Sequence, residues 1–258
     1  MNLSKKDLQN LQKLVEPIIL SAGVKILNSW NTIQSITYKD KRDIVTNVDI
    51  EVENFMRDKL SKLFPEAGFF VEEGKSSQKK KYNWAIDPID GTKYYASLLP
   101  FFVTQIALLE DKNPILGLIL NPVTNQLFSA SKANGTTFNG QKIIAKSRAS
   151  MDSSMIDLDF GGPDDEIETK IKIFDILAQN CFRVRIFGGT AISYMITGAI
   201  DGYIVLNKKN KLVDLAPNQI ILSEAGLKAD YINIPDYKAV FCSANTTLFG
   251  KIRELLQE

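Results

Sequence analysis

The stretch "WAIDPIDGTKYY", Trp84–Tyr95, sets two aspartates three residues apart, puts a proline between them and follows them with Gly91 and Thr92. Pro88 disfavours the α region for Asp87, so the pattern predicts that Asp87 ends a strand through "NWAI" and that the pair does not share a helix face. Pro88 also lacks a backbone donor and has a fixed φ, which helps to turn the Ile89 carbonyl toward the carboxylates. Two carboxylates, a carbonyl and a nearby hydroxyl are hard oxygen ligands, suited to Mg2+ or Mn2+ over zinc. Gly91 and Thr92 open a short helical turn whose free N–H groups would meet a phosphate, with glycine allowing close approach. Metal ligands and a phosphate cradle on one loop point to phosphate-ester chemistry.

Two further acidic segments extend the set. "FFVEEG" puts Glu72 and Glu73 at the end of an apolar strand, and "LVDLAPNQIILSEAG" puts Asp214 in the first turn of a helix. As plain structure these would be a solvated strand end and a helix cap. Two other metal-linked motifs fail on the residues. An aspartate-nucleophile phosphatase needs a second aspartate two positions before Asp90, where Pro88 stands. A calcium loop starting at Asp87 would need oxygen side chains at its third and twelfth positions, which are Ile89 and Leu98.

Outward from this centre, apolar residues at Leu8, Leu11, Val15, Ile18, Ala22 and Ile26 predict an amphipathic helix from Ser4 to about Trp30. Ser4 with Asp7 forms a capping-box pattern, and Pro17 marks a possible kink. A second helix fits Asp49–Leu63. "GFFVEE", "YNWAID", "FFVTQIALLE", "PILGLIL" and "QLFSAS" read as strands of an antiparallel sheet under these helices. Two Asn-Gly dipeptides in "ANGTTFNGQKI" mark turns, and "SSQKKKY" reads as a solvated loop. After about Ser150, strands alternate with helices, which predicts a smaller mixed sheet with its own helices. The fold class expected is thus α+β followed by α/β, in one domain of two lobes, about 1–148 and 149–258.

Composition limits the chemistry. The chain has 258 residues, 31 basic and 30 acidic, so no overall field favours a nucleic-acid polymer or an anionic membrane. "MNLSKKDLQN" has no apolar signal core, and no run is long and apolar enough to span a bilayer, so a cytoplasmic protein is expected. Cys181 and Cys242 are expected as buried thiols without a catalytic role. Histidine is absent, which excludes a Ser-His-Asp triad, a Cys-His pair and histidine-bound zinc.

With "VEEG", "WAIDPIDGTKYY" and "LVDLAPNQIILSEAG" in that order, the chain resembles the inositol monophosphatase family of metal-dependent, lithium-sensitive sugar and nucleotide phosphatases. "DIVTNVD" at 43–49, "NGQKI" at 139–143 and "GGTAISYMITGAIDGY" at 188–203 extend the likeness nearly end to end. The resemblance implies a layered αβαβα sandwich and a homodimer. It implies Glu72, Asp87 and the Ile89 carbonyl as ligands of a first Mg2+, and Asp87, Asp90 and Asp214 as ligands of a second. A third, weaker ion would lie near Glu72 and Glu73; Mn2+ would substitute and Li+ would inhibit. The family mechanism implies in-line attack by a metal-bound water that Thr92 and Asp49 orient and deprotonate, with Glu72 beside it. Gly91 and Thr92 would bind the phosphate.

The same resemblance leaves the substrate open between a small polyol or sugar phosphate and a 3'(2'),5'-bisphosphate nucleotide. Gly189 and Thr190 match the segment that borders the sugar pocket. Asn207 stands where inositol-specific members carry glutamate, and Lys93 resembles the Gly-Thr-Lys of the nucleotidase branch. Val213, Pro217, Leu227, Tyr94 and Tyr95 also depart from the usual residues. A non-catalytic regulatory protein that binds metal or phosphate is the alternative of another class.

Overall fold

The computed structural model describes residues 2–32, 35–40, 43–73, 75–76, 80–161, 166–187, 191–206, 212–235, 237 and 239–257. The chain forms two compact units, Met1–Ile143 with Lys211–Glu224, and Ile144–Asn210 with Ala225–Glu258. The return of 211–224 to the first unit was not foreseen, because alternation of strand and helix reveals a local rhythm but not which sheet a helix covers.

In the first unit, α1 (Lys5–Trp30) starts at Ser4, whose side chain forms the expected capping box with Asp7, and it continues through Pro17. Leu8, Leu11, Val15, Ile19, Ala22 and Ile26 make its buried stripe; Ile19 takes the fully buried place expected for Ile18. A hairpin, β1 (Ile36–Asp40) and β2 (Asp43–Thr46), leads into α2 (Asn47–Leu63). This second helix starts two residues earlier than expected, because Thr46 and Asp49 form a second capping box. Val48, Val52, Met56 and Leu60 bury its inner side.

Seven strands follow: β3 (Gly68–Val71), β4 (Tyr82–Asp90), β5 (Val103–Glu110), β6 (Asn113–Asn121), β7 (Gln126–Ser131), β8 (Gly135–Phe138) and β9 (Gln141–Ile143). A short helix, α3 (Thr92–Ala96), separates β4 from β5. The seven lie side by side in sequence order, antiparallel except that β3 and β4 are parallel. Period-two alternation sends Trp84, Ile86, Ile106 and Leu108 into the core under α1 and α2. Ala85, Ala107 and Leu109 face the other way, where Val213 and Ala216 of α6 (Leu212–Glu224) cover them. The small Ala85 and Ala107 let α6 lie close, and at Gly117 an added Cβ would stand 2.4 Å from Ile220.

The second unit has β10 (Met155–Asp159), α4 (Ile167–Asn180), β11 (Arg183–Arg185), α5 (Ala191–Thr197), β12 (Gly202–Val205), β13 (Lys228–Asn233), β14 (Ala239–Ala244) and α7 (Thr246–Gln257). Its strand order is β11-β10-β12-β14-β13, with β10 parallel to both its neighbours and β14 antiparallel to both of its own. The sheet is mixed, as the sequence suggested. Ile156, Leu158, Ile204 and Cys242 pack with Ile173 and Leu177 of α4 and Leu248 and Ile252 of α7. Cys242 is buried and Cys181 only half-buried; both are free thiols.

Candidate metal and phosphate site

The quoted stretch departs from expectation in one respect: β4 does not end at Asp87 but continues through Pro88 to Asp90. In its pairing with β5, Asp87 faces Gln105 and Asp90 faces Val103, so three steps on β4 match two on β5. The extra residue is a β-bulge, where proline's missing N–H costs no ladder bond. In a regular strand, residues three apart point to opposite faces. The bulge puts both aspartates on the face that Gln105 shares with Ala107 and Leu109, under α6.

That face collects the acids. Glu72 follows β3 two residues after Phe70, which packs on the α6 side, and Asp214 lies in the first turn of α6. Carboxylate oxygens of Glu72, Asp87 and Asp214 all lie within 4.8 Å of one another. Asp87 is 2% exposed. Burial, reinforced by the charges of Glu72, Asp90 and Asp214, pushes its carboxyl well above the usual carboxylate range. Gln105 Nε2 donates to Asp87 Oδ2 and to Asp90 Oδ2, each at 3.2 Å. Asp87 Oδ1 is buried with no hydrogen-bond partner. A buried carboxylate oxygen without a donor, beside two more carboxylates, is what a divalent cation would satisfy, and an all-oxygen set suits Mg2+ or Mn2+.

Beside this cluster, Thr92 Oγ1 lies 3.0 Å from Asp49 Oδ1 and 2.9 Å from the Ile89 carbonyl oxygen, a donor shared between two acceptors. Asp49 is fully buried; the Thr46 N–H and hydroxyl donate to its Oδ2. Burial raises its carboxyl above the usual range, against the pull of these hydrogen bonds. Gly91 caps α3 with φ +97, and a Cβ there would meet the Phe101 carbonyl oxygen at 2.6 Å. The turn that presents Thr92 is open only to glycine.

At the outer edge, Lys39 Nζ of β1 pairs with Glu73 Oε1 at 2.5 Å. The Glu73 N–H donates to Glu53 Oε2 at 2.8 Å, and Arg57 lies 3.8 Å from Glu53 Oε1. Burial, with Glu72 close by, raises Glu73 to about 7 although Lys39 pulls the other way. Glu73 is therefore tied to a lysine, apart from the trio formed by Glu72, Asp87 and Asp214. Lys93 is exposed. Gly189, Thr190 and Asn207 lie outside the described residues. Sequence reasoning missed Gln105, Asn218, Glu53 and Lys39. Gln105 carried one faint signal, a lone amide in the apolar run "VTQIALL".

The inositol monophosphatase family matches residues 7–251. An inositol-1-monophosphatase of Synechocystis is 30% identical over 231 residues, 86% of this chain and 79% of the relative. A protein named Nus factor SuhB, of Xylella fastidiosa, is 28% identical over 211 residues, 80% of this chain and 76% of the relative. Among solved structures, the extragenic suppressor protein suhB of Bartonella henselae superposes with a TM-score of 0.87 at 22% identity, over 95% of this chain and 98% of that one. At that identity the likeness concerns the fold alone.

Proposed function

Since the chain belongs to the inositol monophosphatase family, we propose that it is a Mg2+-dependent phosphomonoesterase acting on a small polyol or sugar phosphate. The observation that carries this reading is the convergence of Glu72, Asp87 and Asp214 within 4.8 Å, from three separate segments of the chain. Glu72, Asp87, Asp90 and Asp214 would hold two divalent ions with the Ile89 carbonyl, and Glu73 would border a third. Such ions, when bound, neutralise phosphoryl charge and lower the pKa of coordinated water.

The chain's own groups do the rest. Thr92 Oγ1 orients the attacking water, and Asp49, 3.0 Å behind it, takes the proton through that hydroxyl. Backbone N–H groups of Gly91 and Thr92 receive the phosphate. Substrate contacts are assigned to Lys93, Gly189, Thr190 and Asn207. A homodimer is part of the same reading; Ile167, Ile171 and Phe174, exposed on one side of α4, suit such an interface. No described helix is long and apolar enough to cross a membrane, and a cytoplasmic setting suits two free thiols.

Two observations favour other readings. Exposed Lys93, next to Thr92, suits the extra phosphate of a 3'(2'),5'-bisphosphate nucleotide. The likeness to a protein named as a Nus factor favours a regulatory role. One panel decides: phosphate release from inositol 1-phosphate, fructose 1,6-bisphosphate, histidinol phosphate and adenosine 3',5'-bisphosphate, with Mg2+ and with added Li+. Release from inositol 1-phosphate or fructose bisphosphate, blocked by Li+, is expected. Release from the nucleotide alone would support the nucleotidase, and no release from any substrate would favour the regulatory reading.

A further inference from the structure

Three ligand-bearing segments of the first unit, the end of β4, its bulge and the first turn of α6, are tied together by two buried amides. Gln105 is fully buried and Asn218 is 3% exposed. Gln105 Nε2 donates both its hydrogens to carboxylates, to Asp87 Oδ2 and Asp90 Oδ2. Its Oε1 lies 3.5 Å from Asn218 Nδ2, which also donates to the Asp214 carbonyl oxygen at 2.8 Å. Asn218 lies four residues after Asp214, one turn along α6, so its side chain reaches back over the turn that presents Asp214.

We propose that Gln105 is a positioning residue of the metal site, with Asn218 as its support; this rests on the phosphatase reading above. The amide solves a problem that the bulge creates. Two aspartates brought to one buried face repel each other, and each carboxylate can rotate to expose either oxygen. A neutral donor bridging Oδ2 of both relieves the repulsion without adding charge and fixes which oxygens face the protein. Asp87 Oδ1 is then left without a hydrogen-bond partner, available to a cation. A lysine or arginine at this place would neutralise the carboxylates and compete with the ions, whereas an aliphatic side chain would leave the aspartates unbridged. Fixing ligand orientation from behind in this way characteristically changes metal affinity by about 10–100-fold.

The test uses Mn2+ as probe, with binding to the whole chain followed by electron paramagnetic resonance and thermal unfolding followed with and without the ion. Gln105→Met keeps the length and bulk of the side chain and removes both donors. Its Mn2+ Kd is expected to rise about 10–100-fold, and turnover should recover toward the wild-type value when Mn2+ is raised to saturation. A role in packing alone would lower the melting temperature equally with and without Mn2+ and leave the Kd unchanged. A folded Gln105→Met that binds Mn2+ within twofold of wild type overturns the proposal. If Gln105→Met does not fold, Asn218→Ala decides by the same measure, a weaker Kd supporting the proposal and an unchanged one overturning it. Failure of the wild-type chain itself to bind Mn2+ would sink the phosphatase reading and this proposal together, an outcome distinct from equal binding by wild type and variant.

Discussion

Asp87→Asn is expected to make the metal-free protein more stable and to abolish its stabilisation by metal. The carboxylate oxygens of Glu72, Asp87 and Asp214 lie within 4.8 Å of one another. At that separation two like charges repel by about 3–4 kcal/mol at an effective dielectric near 20. Removing the Asp87 charge relieves two such pairs. A proton taken up by the cluster already relieves part of the strain in the wild type, so the net gain should be about 1–3 kcal/mol. The asparagine oxygen can still accept from Gln105, and its new N–H groups face carboxylates. In a chelator, the melting temperature should rise by about 2–4 °C per kcal/mol, or roughly 2–12 °C in all. Wild type in Mg2+ at about 100 times its Kd should gain about 2.7 kcal/mol, and the variant should gain nothing. Paired thermal scans in EDTA and in Mg2+ read both effects. A variant less stable than wild type in EDTA, or one that gains as much from Mg2+, would refute the idea that this trio is a cation site held together against its own charge.

Three other changes test separate parts of the structure. Thr92→Val keeps the shape but deletes the hydroxyl between Asp49 and the Ile89 carbonyl, and kcat should fall about 100-fold or more with KM little changed; steady-state kinetics on the active substrate read this. Gly91→Ala puts a Cβ 2.6 Å from the Phe101 carbonyl oxygen at φ +97, and urea unfolding should show a loss of about 2–4 kcal/mol. Asp157 is buried on β10, accepts the Phe187 N–H at 2.7 Å and is raised by burial to about 7. Because its folded value lies above that of the unfolded chain, the contribution of Asp157 to stability should be fully present below about pH 4, fall as pH rises through 7 and be lost above. Asp157→Asn should remove about 4 kcal/mol of that slope. Parallel pH series of urea midpoints would show it, and identical slopes would discount Asp157.

The helices were legible because their signals are local. Ser4 and Asp7 announce α1, and a period near 3.6 marks its buried side. Asp87, Asp90 and Asp214 stood out as acids at element ends. The bulge was not legible: proline spoke against a helix at Asp87, but whether the strand stopped there or bulged depended on β5, whose register is a long-range fact. Gln105 reaches its aspartates across that same register, 15 and 18 residues away in sequence, and no window of neighbouring residues contains the contact. The pairing of Lys39 with Glu73 spans 34 residues and joins a hairpin to a strand end. The assignment of α6 to the first unit depended on small residues at Ala85, Ala107 and Gly117 matching a helix a hundred positions further on, a complementarity of shape without a motif.

The return of α6 also sets an order of events during synthesis. The first unit's sheet is complete in sequence by Ile143, yet its Ala85, Ala107 and Leu109 face stays uncovered until Leu212–Glu224 is made, after the whole of 144–210. A ribosome adding about 5–20 residues per second would hold that apolar face exposed for several seconds at least. In that interval the nascent chain carries Asp87 and Asp90 without Asp214. The trio of Glu72, Asp87 and Asp214 is therefore complete only once the helix bearing the last acid has cleared the exit tunnel.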